Sequence, residues 1–176
     1  MKTTGIVRRI DDLGRIVIPK EIRKNFRINN GDNIEIFMDE DNIILKKYSV
    51  LNKIGNYADK FTEVIYSFLK HNIIITDTDN IIAFSGPLRK KYINKPISEY
   101  LSDCIRRREN ICEKYNKDIN IIDGDSEWGT YCLSTVICSG DVAGLVIILS
   151  TETQMTESDM KICQIVSKFL AKSLEE

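Results

Sequence analysis

The chain is poor in the residues that build metal and disulfide sites. It has a single histidine, His71, and five cysteines (Cys104, Cys112, Cys132, Cys138 and Cys163) with no Cys-x-x-Cys pair among them. That inventory argues against a zinc site and against a disulfide framework. Buried free thiols of a cytosolic protein are expected instead, and a lone histidine supports neither haem nor tetrapyrrole attachment. No stretch approaches the ~18 consecutive apolar residues of a membrane helix; the longest, Val142 to Leu149, has the length of a strand. Met1-Lys2-Thr3-Thr4 lacks the apolar core of a secretory signal. The expected location is therefore the cytoplasm, with no membrane partner. Also missing are a Gly-x-x-x-x-Gly-Lys phosphate loop, a nucleophile–base pairing and a carboxylate pair in motif context, so no enzyme and no cofactor are expected. No internal repeat or low-complexity tract interrupts the chain.

What is present is an uneven distribution of charge. The formal net charge of −1 conceals a basic head: Met1 to Arg27 holds eight Lys/Arg against three acids, and the rest of the 176 residues is acidic on balance. Such asymmetry fits a polyanionic partner for the head, and equally an ordinary solvated basic surface.

The head reads as two β-prone runs, Gly5 to Ile10 and Gly14 to Ile18, separated by the turn Asp11-Asp12-Leu13. Pro19 suits a first helical position, where its missing N–H costs nothing. A short helix from Lys20 to Arg27 would turn Ile22 and Phe26 inward and Arg23, Lys24 and Arg27 elsewhere. Asn29-Asn30-Gly31-Asp32 ends it, and Asn33 to Met38 and Ile43 to Tyr48 read as a hairpin around Asp39-Glu40-Asp41-Asn42. A unit of about fifty residues buries little apolar surface by itself, so a dimer is expected on size alone.

In Asp11-Asp12-Leu13-Gly14-Arg15-Ile16-Val17-Ile18-Pro19-Lys20-Glu21-Ile22-Arg23-Lys24, cations recur at fixed offsets around a turn, a strand and a helix start. This segment resembles the DNA-binding domain of the AbrB/SpoVT family, and Thr4 to Arg9 and Ile44 to Tyr48 fit that family's beginning and end. The resemblance implies a swapped-hairpin barrel, dominated by β-structure with one short helix per chain and made by two chains that exchange hairpins. By position it implies DNA contacts from Arg8, Arg15, Arg23 and Lys24, with Arg9 in the same basic patch. Lys24 stands where relatives also carry arginine; lacking the bidentate fork, it suits a phosphate contact more than base readout. Lys46 and Lys47 are read as solubilising an outer strand.

Ser49-Val50 reads as a junction, giving domains at 1–52 and 53–176. A helix from about Leu51 to Leu69 carries Ile54, Ala58, Phe61, Ile65 and Phe68 at seam spacing, widened by Tyr57, Val64 and Leu69. The stripe serves either a paired helix or the helix's own domain. Hairpins are expected at Ile73–Thr76 with Ile81–Ser85 and at Gly129–Cys138 with Val142–Ser150. Helical pieces are expected near Leu88 to Tyr92, Ser98 to Arg107 and Thr156 to Leu174, the last with a Thr156–Asp159 capping box. This α+β unit with an antiparallel sheet resembles a GAF domain. The resemblance implies pairing through terminal helices and a small-molecule pocket, though no ligand can be named. Trp128, Tyr131 and Cys132 are pocket candidates that read more readily as core. Arg106-Arg107-Arg108 reads as a solvated helix end.

Together these features predict a transcriptional regulator, of sporulation genes by resemblance. It would bind double-stranded DNA as a homodimer through its head and assemble into a homotetramer through its C-terminal helices, with room for an unidentified effector. It would associate with the nucleoid. An antitoxin is the rival within the fold, but its short disordered tail contrasts with the periodic 120 residues here. A purely architectural nucleoid protein is the other alternative.

Overall fold

The computed structural model describes residues 5–51 and 55–175. Contacts divide the chain into two compact units, Met1–Tyr48 and Ser49–Glu176.

In the first unit, helix α1 spans Lys20–Asn25, and strands β1 (Ile34–Asp39) and β2 (Asn42–Lys47) form an antiparallel hairpin closed by Asp39 opposite Asn42. Glu40 takes the left-handed backbone (φ 47°) that such a two-residue turn demands. The strands expected at Gly5–Ile10 and Gly14–Ile18 are absent as ladders in a single chain: both limbs are outside regular structure. The residues have β propensity, but among the described residues the ladder of this unit consists of β1 and β2. Pro19 caps α1 rather than beginning it, and the helix stops two residues short of Arg27, which adopts φ 51°. The expected inner face does not close either, since Phe26 is 67% exposed.

Pro19 is the one buried residue among those described in this unit. Val7, Ile10, Leu13, Val17, Ile36, Met38 and Ile43 all lie open. A segment with this many apolar side chains in water has not finished burying its core within one chain.

The second unit is built on a five-stranded antiparallel sheet in the order β4-β3-β7-β6-β5. Its strands are β3 (Asn72–Thr76), β4 (Ile81–Ser85), β5 (Asn110–Ile122), β6 (Asp125–Cys138) and β7 (Asp141–Ser150). Helices α3 (Arg89–Tyr92) and α4 (Glu99–Arg107) supply the core on one face, and α2 (Gly55–Leu69) and α5 (Glu157–Ser173) that on the other. Both faces are covered, so the central strands read as unbroken apolar runs. Along β7, Leu145, Ile147 and Leu149 enter the α3/α4 core, while Val146 and Ile148 enter the α2/α5 core. Strand β6 splits the same way, with Tyr131 and Leu133 on one side and Cys132 and Val136 on the other.

The helix starts are chemically explicit. Ser98 caps α4 by accepting from the Leu101 N–H, and Thr156 with Asp159 forms the expected capping box on α5. At Gly144 on β7 the Thr76 carbonyl approaches so closely that any Cβ would overlap it. Strand β5 carries no strand signal in the sequence. Its sequence, Asn110 to Ile122, is mostly polar because it is the sheet's edge and largely exposed.

Candidate nucleic-acid interface

The turn at the centre of the head is organised by one carboxylate. Asp11 Oδ1 accepts from the backbone N–H of Leu13 (3.0 Å) and of Arg15 (2.8 Å), while Oδ2 accepts from Arg15 Nε at 2.8 Å. The backbone adds Asp11 N–H to the Arg15 carbonyl and Gly14 N–H to the Asp11 carbonyl. Gly14, at φ 74°, supplies the left-handed step that lets the chain fold back. The hydrogen bond from the Arg15 backbone, followed by that from its side chain, holds the Asp11 carboxyl below its ordinary pKa of 3.8. The clamp is made through Nε, on a side chain that is 71% exposed, and the guanidinium as a whole is a group suited to a phosphate or a base edge.

Arg8 and Arg9 are exposed on the limb before this turn, and Arg15 is exposed just after it. Arg8 Nη1 donates to the Val7 carbonyl at 3.2 Å. Arg23 and Lys24 lie in the last turn of α1. Arg23 is half-buried: its Nη1 donates to Asn30 Oδ1 at 3.3 Å, and its Nε is a buried donor with no partner in the structure. Lys24 is exposed. Thus Arg8, Arg9 and Arg15 share the two limbs of one turn, whereas Arg23 and Lys24 share the next helix.

Two supporting residues escaped the sequence reading. Asp11 reads in the sequence as a turn former, although an acid four residues before an arginine across a glycine turn is a legible signal. Lys47, read as a solubilising residue, is instead a strut. Its ammonium meets Asp32 at 3.1 Å and donates to the Arg27 carbonyl at 3.0 Å, and Asp32 in turn accepts from the Asn29 N–H at 2.7 Å. These bonds pin the loop that follows α1.

In the second unit the three pocket candidates do not converge. Tyr131 is buried on the α3/α4 side with its hydroxyl 2.8 Å from that of Tyr100, Cys132 is buried on the opposite side, and Trp128 is 59% exposed. Lys91 bridges Asp125 and Glu127, each at 2.8 Å, and Tyr92 donates to Glu127 at 2.6 Å. Hydrogen bonds to Asp125 and then Glu127 raise the Lys91 pKa, and burial raises that of Tyr92, so Lys91 keeps its charge and Tyr92 its hydroxyl proton through neutral pH. The arginine cluster is tied locally: Arg106 pairs with Asp103, Arg107 with Glu109, and Arg108 donates to the Gly140 carbonyl.

The seam expected on α2 is divided between two faces of the helix, with Phe68 exposed. Ala58 and Ile65 face the unit's own core, and Ile54 lies outside the described residues. The outward stripe is Tyr57, Phe61, Val64 and Phe68, with Tyr57, Val64 and Phe68 more than half exposed. It continues onto α5, where Phe61 and Phe169 pack with ring centroids 4.7 Å apart and Ile165 is 65% exposed. No helix among the described residues is long and apolar enough to cross a membrane.

Comparison with known proteins assigns both units. The model of the stage V sporulation protein T C-terminal, transcription factor, matches residues 53–175, and that of the antidote-toxin recognition MazE, bacterial antitoxin, matches residues 7–51. Stage V sporulation protein T of Bacillus subtilis is 42% identical over 178 residues, covering 100% of both chains. The transition state regulatory protein AbrB of the same organism is 56% identical over 48 residues, 27% of this chain and 50% of its own. The GAF domain of an Acinetobacter phosphoenolpyruvate-protein phosphotransferase superposes with a TM-score of 0.54 at 11% identity, covering 73% of this chain and 84% of that one. The second unit therefore has a GAF fold, and the matching family is one of transcription factors, not of enzymes. The chain belongs to the stage V sporulation protein T family of transcription factors.

Proposed function

We propose that this transcription factor binds double-stranded DNA through a homodimer of its N-terminal unit and regulates sporulation genes from the nucleoid. The observation that carries the dimer is the burial of that unit. With Pro19 alone buried among its described residues, the open side chains of Val7, Ile10, Val17, Ile36, Met38 and Ile43 require a second chain to cover them. Limbs 5–10 and 14–18 gain ladder partners in the same step, which is what an exchange of hairpins between two chains supplies. Arg8, Arg15, Arg23 and Lys24 would then be presented twice, once per protomer, with Arg9 beside them. A protein held by that many cations loses affinity steeply as salt rises.

The apolar stripe on α2 and α5 supports the second half of the reading, in which C-terminal units pair and join two dimers into a tetramer. Two DNA-binding heads on one particle raise occupancy through effective concentration. An effector held in the GAF fold would act by shifting how the heads are presented. Domain limits at 1–52 and 53–176 serve this division of labour, the head to DNA and the remainder to assembly.

A footprint of genomic fragments, with an expression profile of cells with and without the protein, tests the regulatory reading. Discrete protected sites upstream of genes whose expression changes are expected. Uniform coverage with no altered transcripts would instead identify an architectural protein.

A further inference from the structure

Two of the five thiols are placed opposite one another. Cys112 on edge strand β5 and Cys132 on β6 are direct partners in the antiparallel register, flanked by Ile111 opposite Leu133 and Glu113 opposite Tyr131. Their sulfurs lie 3.2 Å apart, with the Cys132 S–H donating to Cys112 Sγ. Cys132 is fully buried and Cys112 only partly, so an oxidant arriving from solvent meets Cys112 first. The other thiols are directed elsewhere. Cys163 donates to the Val146 carbonyl, Cys138 lies beside Ser139 at the end of β6, and Cys104 belongs to the core on the opposite face of the sheet.

We propose that Cys112 and Cys132 form a reversible disulfide site that reacts with hydroperoxides. Facing residues of an antiparallel pair have Cα atoms ~4.5 or ~5.5 Å apart, and both spacings fall inside the range a disulfide spans. Their Cβ atoms, ~4.5–5.5 Å apart in such pairs, must close toward the ~3.8 Å of a disulfide. The two strands must therefore draw together slightly, which strains the bond and keeps it reducible. Strand β5 is free to make that movement: it has no neighbour on its outer side, and its ladder to β6 is interrupted between Glu113 and Lys117.

The chemistry closes with the groups present and one hydroperoxide. The Cys112 thiolate attacks the peroxide oxygen, breaking the O–O bond to give the sulfenic acid, and the departing hydroxide takes a proton to become water. Cys132 then attacks Cys112 Sγ, the S–S bond forms as the S–OH bond breaks, and the leaving hydroxyl takes the Cys132 proton as a second water. In sum, two thiols and one hydrogen peroxide give one disulfide and two waters. The S–H of Cys132 already points at the sulfur it must reach. Burial and the contact with Cys112 hold that thiol protonated until the sulfenic acid forms beside it.

The test uses the full-length protein, fully reduced and then exposed to stoichiometric hydrogen peroxide. Remaining thiols are alkylated in denaturant, and peptides are mapped without reductant. The expected result is the peptide containing Cys112 joined to that containing Cys132, with the loss of two hydrogens, within a single chain and reversed by dithiothreitol. Cys163→Ala should keep this link. Cys112→Ser should abolish it and leave the other thiols alkylatable. The proposal is overturned by any of three results: both thiols alkylated after peroxide, Cys112 carried to sulfinic acid without a link, or a link from Cys112 to Cys163 or to a second chain.

Discussion

Asp11 grips Arg15 twice, through the backbone N–H at 2.8 Å and through Nε at 2.8 Å. One short acid thereby fixes both the turn and the direction in which a guanidinium leaves it.

The first prediction concerns that acid. Replacing Asp11 by Ala removes a negative charge, which alone would favour binding to a polyanion, but it also frees Arg15 and the turn. Ordering a long side chain costs about 0.5–1.5 kcal/mol, so loss of the clamp should weaken DNA binding roughly two- to tenfold. A titration with labelled duplex DNA measures it. Stronger binding by Asp11→Ala would show that charge, not positioning, governs the turn.

The pH dependence follows from the same bond. The Asp11 pKa is depressed, so the clamp is complete above 3.8 and is lost only as pH falls through the lower folded-state value. Carboxyl NMR should therefore place its midpoint below 3.8 and show no change in this group through the neutral range. A midpoint at or above the ordinary value would mean that the bond to Arg15 is not formed in solution.

Assembly is the third. Phe68 is 81% exposed, so changing it to Ser should leave the fold of one chain intact. If the α2/α5 stripe joins dimers, Phe68→Ser together with Val64→Asp should halve the particle mass in sedimentation. It should also lower affinity for DNA carrying two sites while leaving single-site affinity unchanged. An unchanged mass would move the contact to another surface.

Stability of the GAF unit offers a fourth. Gly144→Ala sets a Cβ against the Thr76 carbonyl, with Leu51 Cδ1 the next neighbour at 2.8 Å, and backbone cannot step aside as a side chain can. A cost of about 3 kcal/mol is expected, or roughly 10 °C in Tm by calorimetry. A change within a degree would show that β3 and β7 separate more readily than their ladder implies.

Much of this fold was legible because its signals are local. The hairpin around Glu40-Asp41, the cap at Thr156, and the apolar runs of β3, β6 and β7 each follow from turn chemistry or periodicity within a few residues. Strand β5 was invisible for the opposite reason: at the sheet edge, Glu113, Lys114, Asn116 and Lys117 leave no alternation to read. Which part of the α2 stripe turns inward is not legible, because Phe61 and Phe68 are as apolar as Ala58 and Ile65, and only the position of the sheet decides which pair enters the core. At the candidate interface the cations could be named from spacing and resemblance, whereas Asp11 and Lys47 as supports required geometry. Limbs 5–10 and 14–18 show where local reading stops, because β propensity alone does not make a strand and both limbs lie outside regular structure.

The central claim, that the head binds DNA through its turn and helix cations, is tested most directly by fluorescence anisotropy of the full-length protein and Arg15→Ala with operator duplex across a salt series. The account predicts that Arg15→Ala folds and assembles as the parent does yet binds at least about tenfold more weakly, with a salt slope shallower by about one per protomer. Equal affinity and equal slope for the two proteins would contradict it.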